Sequence, residues 1–106
     1  MILVDFQNTI FNFSNASIVD ISKEEITVYY NNDIVVNFKY CDTSIDTSSF
    51  GDYFFKFENE ERKIYFNRYN FLYMQKREAG VVRFQFFENF TFDLMVDYDK
   101  LLSQIE

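Results

Sequence analysis

The chain has no histidine, no tryptophan and no proline, and only one cysteine and two glycines in 106 residues. Each absence removes a class of chemistry. Without histidine there is no Ser-His-Asp or Cys-His triad, no zinc-binding helix motif and no imidazole acid or base near neutral pH. A lone Cys41 forbids an internal disulfide and, with no imidazole to join it, a four-ligand zinc site. Gly51 and Gly80 alone cannot build a dinucleotide or P-loop phosphate cradle. Cys41 falls in strand register with Lys39, where a lone thiol packs as a small hydrophobe more readily than it acts as a nucleophile. Carboxylates are the remaining catalytic groups. Their closest pairs, Asp97 with Asp99 and Asp42 with Asp46, are accounted for by a helix cap and by turn chemistry. We therefore expect no enzyme, no metal and no cofactor.

Long apolar runs are missing too: none exceeds about five residues, against the ~20 that a spanning helix needs. Met1-Ile2-Leu3-Val4 is broken at once by Asp5 and has no basic flank, so it does not read as a secretory signal. The expected setting is the cytoplasm, away from membranes, in keeping with a single cysteine. On that reading the glycosylation patterns at Asn12, Asn15 and Asn89 are chance matches.

What the chain has in quantity is Phe and Tyr, 15 and 8 residues respectively, laid down in alternating runs. Aromatics at every second position suit a pleated, half-buried surface and bring a large apolar area to a small core. No linker or repeat divides the chain, so one domain over 1–106 is expected. Glu25 to Tyr30 and Ile34 to Tyr40 flank Asn31-Asn32-Asp33 as a hairpin. On its second strand Ile34, Val36, Phe38 and Tyr40 share a face. The polar stretch 42–49 reads as a loop. Strands resume at Tyr53–Phe57, turn at Glu58–Glu61, and run from Arg62 to about Met74. A type I turn over Lys76–Gly80, closed by a left-handed glycine, leads to Val81–Phe87, and Phe90–Asp97 alternates with one fully apolar face. Tyr98, Leu101, Leu102 and Ile105 then change to helical spacing behind Asp97 as N-cap, a helix short enough that it must dock on the sheet. Ile2-Leu3-Val4 and Ile10-Phe11 are left as strand or helical turn. The expected fold is mainly β: an antiparallel domain of six to seven strands, barrel or sandwich, with a short C-terminal α-helix.

Charge is unevenly placed. Residues 1–61 carry a net −8, residues 62–83 a net +5 and residues 84–106 a net −4, for −7 overall. Two binding hypotheses follow. Asp42, Asp46, Asp52, Glu58, Glu60 and Glu61, with Tyr53 as an aromatic anchor, suit an acidic surface that caps a basic protein partner, because opposite potentials steer encounter. Immunity proteins and phage inhibitors of defence nucleases have this physical profile, and the Ile-, Asn- and Lys-rich, Ala-poor composition fits a phage or mobile element. In the alternative, the basic block binds single-stranded RNA or DNA, with Lys63, Arg68, Lys76, Arg77 and Arg83 neutralising phosphate and Tyr65 and Tyr69 stacking bases. A net charge of −7 opposes that reading, since nucleic-acid domains are usually basic overall. The basic block would equally meet an acidic protein patch, that of a second copy in a homodimer included.

Overall fold

The computed structural model describes residues 2–6, 8–39 and 47–105. Ten strands among them form three antiparallel sheets. β1 (Leu3–Phe6) pairs with β2 (Thr9–Asn12). A five-stranded sheet has the order β5 (Val35–Lys39), β4 (Glu25–Tyr29), β3 (Ile18–Ser22), β7 (Arg62–Asn67), β6 (Phe54–Glu58). β10 (Phe90–Met95), β9 (Val81–Phe86) and β8 (Phe71–Lys76) make the third sheet, and α1 spans Tyr98–Ile105.

The mainly-β antiparallel class with a C-terminal helix is thus what the alternation implied. The strands outnumber six or seven for two local reasons. The N-terminal segment folds on itself around Asn8, whose φ of 61° an asparagine tolerates. The run from Arg62 is cut at Asn67, whose Oδ1 accepts the Tyr69 amide at 2.8 Å. That side-chain turn carries the chain from the five-stranded to the three-stranded sheet.

The five-stranded sheet is the middle layer, covered on both faces, and among the described residues its outer strands β5 and β6 pair with no further strand. On one face Ile18, Phe55, Ile64 and Phe66 meet Val82, Phe84, Phe86 and Phe90 of the small sheet and Leu101 of α1. The aromatic excess is used here in two stacks, Phe66 lying 4.3 Å from Phe84 and 5.2 Å from Phe55, and Phe90 lying 5.9 Å from Tyr29 and 5.6 Å from Phe86, centroid to centroid, with Phe71 edge-on to Phe55 and Phe86 between them. On the other face Val19, Ile26, Val28, Phe38, Phe54 and Tyr65 are covered by Ile2 and Val4 and by Phe13 and Phe50 from two short 3-10 turns.

Gly80 is left-handed as expected, at φ 77°, but Ala79 is too, at φ 57°. The β8–β9 connection therefore has the primed handedness that matches strand twist, in place of a type I turn. Glu88 and Asn89, at φ 63° and 59°, do the same between β9 and β10. Asp97 caps α1, its Oδ1 accepting the Asp99 and Lys100 amides at 3.1 and 3.3 Å. Leu101 is buried, Tyr98 and Ile105 pack partly on the same core, and Leu102 is half-buried. No helix among the described residues is long and apolar enough to cross a membrane.

Candidate functional site

The described acids of the 42–61 segment fall at the two ends of β6. Asp42 and Asp46, like Cys41, lie outside the described residues. Asp52 and Tyr53 stand at the start of β6, where Tyr53 is half-buried and its ring lies 5.9 Å from that of Tyr69. Glu58, Glu60 and Glu61 stand at the other end of the same strand, around the β6–β7 turn. That turn is built by Asn59, whose Oδ1 accepts the Glu61 and Arg62 amides at 2.8 and 2.9 Å. Glu58 is held by Lys56 at 3.1 Å and Lys63 at 3.6 Å, and these ammonium groups, Lys56 first, keep its carboxyl below the usual range. Glu60, Glu61 and Asp52 are exposed, with no ion pair among the described residues.

The basic block is divided as well. Arg62 and Lys63 belong to the five-stranded sheet, Arg68 to the β7–β8 turn, and Lys76, Arg77 and Arg83 to the small sheet and its turn. Most of these cations have partners in the chain. Arg62 pairs with the largely buried Asp20. Arg83 holds Asp93 in a two-pronged pair at 2.9 and 3.0 Å, which lowers the Asp93 carboxyl and raises the guanidinium. Arg68 donates to the Gln104 carbonyl at 3.3 Å, Arg77 to Gln75 Oε1 at 3.3 Å, and Lys76 sits 5.4 Å over the Tyr98 ring. Tyr65 is 7% exposed within the core and offers no face to a base, whereas Tyr69 is 66% exposed.

One concavity was not anticipated from the sequence. It is an open cleft of about 690 Å³ where the β4–β5, β7–β8 and β9–β10 turns meet β2. Ile10, Phe11, Ile34, Val36 and Phe87 form its apolar wall, and Asn15, Ser17, Tyr30, Asn31, Asn70 and Glu88 are among its polar groups. Several of these are locked. Asn31 Oδ1 accepts the Asp33 and Ile34 amides, both at 2.8 Å, and its Nδ2 donates to Glu88 Oε2 at 2.9 Å. Asn70 donates to the Asn15 carbonyl at 3.0 Å, and the Tyr30 hydroxyl donates to the Asn12 carbonyl at 3.2 Å; burial pushes that phenol up. Behind the cleft Asn67, fully buried, donates to the Ser14 and Ala16 carbonyls, both at 2.7 Å. The sequence signal for the cleft was faint: asparagines at turn positions, and Phe87 continuing the β9 run into a turn. Among the described residues, no three acidic or thiol side chains converge as a metal site would require. No protein-family model, curated protein or solved structure matches the chain.

Proposed function

We propose that the chain is a small acidic binding protein without enzymatic activity, which inhibits or neutralises a protein partner that presents a basic surface. The observation that carries this reading is the state of the cations. Arg62, Lys63 and Arg83, half of the basic block, are offset by carboxylates in ion pairs, while Asp52, Glu60 and Glu61 stay exposed in a chain whose net charge is −7. An acidic field of that kind favours fast encounter with a cationic surface and repels polyanions. The setting proposed is the cytoplasm, where a lone thiol stays reduced, and the immunity or phage anti-defence type is the nearest functional class. The nucleic-acid reading has less support, because Lys63 and Arg83 are in ion pairs and Tyr65 is buried, which leaves Arg68, Lys76 and Arg77 as its exposed cations without a carboxylate partner among the described residues.

Affinity capture with the full chain from its native host, with and without nuclease, tests the proposal. A protein with a basic surface, retained after nuclease treatment and released by salt, is the expected result. Recovery of single-stranded nucleic acid bound directly by the pure chain at low salt would contradict it.

A further inference from the structure

We infer that the cleft between the turns is the seat for an arginine side chain of that partner, an inference that rests on the basic-partner reading and gives it a location. Among the described residues the cleft is lined by no lysine or arginine, and its single charged group is Glu88. Phosphate, nucleotide or carboxylate ligands would therefore meet a carboxylate and no cation. A wholly apolar ligand would bury Glu88 and the amides without partners, at a high desolvation cost. A guanidinium on an aliphatic stem suits both halves of the lining. Ile10 and Ile34, 68% and 53% exposed, and Val36 beside them can cover the stem, and Phe87, 53% exposed, offers a face for the planar cation.

Glu88 is prepared for this role. A carboxylate has about four acceptor directions, and Asn31 takes one of them, fixing the group while leaving the rest open. The residue sits at φ 63°, where Asn or Gly would meet the turn's backbone demand at less cost. Phe87 is placed independently of its side chain, by its amide donating to the Asn70 carbonyl at 3.0 Å. Buried arginine anchors of this kind are common hot spots.

The probe is N-acetyl-arginine N-methylamide, titrated into the full chain with backbone and side-chain amides followed by NMR, and the matching citrulline compound serves as a control of equal shape without charge. Shifts should concentrate at Phe87, Glu88 and the side-chain amides of Asn31 and Asn70, with citrulline at least about tenfold weaker. Glu88→Gln keeps an acceptor for Asn31 and should leave the unfolding midpoint in place, yet weaken arginine binding about tenfold. Phe87→Ala should weaken it as well. Equal shifts from citrulline, shifts confined to Glu60 and Glu61, or no saturable shifts would each overturn the seat. The two proposals also fail separately. A captured partner whose affinity survives Glu88→Gln but not reversal of Glu60 and Glu61 removes the seat alone. Saturable arginine binding at the cleft, with direct nucleic-acid binding by the pure chain, removes the functional reading alone.

Discussion

Asn67 does at residue scale what no alternation pattern announces. It ends β7, accepts the Tyr69 amide at 2.8 Å and pins the Ser14 and Ala16 carbonyls at 2.7 Å. Asn67→Ala should cost about 2–4 kcal/mol, because it leaves buried groups without partners. Asn67→Asp should cost more, since it sets a carboxylate against two carbonyls. Urea denaturation measures both; a loss under about 1 kcal/mol would show that water replaces the amide. The two glycines should respond in opposite directions. A Cβ would meet nothing within 4 Å at either, but only Gly80 is left-handed, at φ 77°. Gly80→Ala should destabilise by about 1 kcal/mol, while Gly51→Ala should stabilise by roughly 0.5 kcal/mol through the unfolded chain. Same-signed effects would refute the backbone argument. The need for positive φ at Gly80 was legible in the sequence. That Ala79 and Glu88 share it was not, because neither residue type signals it.

At the scale of elements, α1 shows how a short helix earns its place. Its Gln104 side chain accepts the Lys56 amide at 2.8 Å and donates to the Lys56 carbonyl at 2.7 Å. One glutamine thereby copies the pairing of a neighbouring strand and closes the β6 edge, a position otherwise open to another chain. Gln104→Ala should cost about 1 kcal/mol, speed hydrogen exchange at the Lys56 amide, and increase self-association in sedimentation. Unchanged exchange there would mean that the edge is protected by other means. Truncation after Asp97 should lower the melting temperature more than Gln104→Ala does, since Leu101 is lost from the core with it. The helix, its cap and its docking were readable from the spacing of Tyr98, Leu101 and Ile105. The edge contact was not, because it depends on which strand ends up outermost. Strand positions were likewise legible wherever apolar residues alternate, as over Phe90–Val96. The division of strands among three sheets was hidden, since the turn at Asn67 interrupts a run of unbroken β propensity.

Across the whole molecule, charge is where sequence and structure part most clearly. Segment sums suggested a basic ribbon opposed to an acidic surface. Folding places the block's cations on different sheets and turns and pairs several with carboxylates, which a linear count cannot foresee. Glu25, Glu58 and Asp93 are each held below the ordinary carboxyl range by a neighbouring Lys or Arg. A depressed folded-state value contributes stability above the unfolded carboxyl range and loses it as pH falls through the folded value. The unfolding midpoint should therefore drop modestly below about pH 4.5, and Arg83→Gln should flatten the part that Asp93 supplies. A midpoint constant down to pH 2 would show that these exposed pairs contribute nothing. The most direct test of an acidic capping protein is the rate at which it associates with the captured partner, measured by stopped flow over a range of salt for the wild type and for Asp52→Lys, Glu60→Lys and Glu61→Lys combined. Electrostatic steering predicts a wild-type on-rate that falls steeply with salt, and a variant on-rate that is at least about tenfold slower and nearly salt-independent; equal on-rates with equal salt dependence would contradict it.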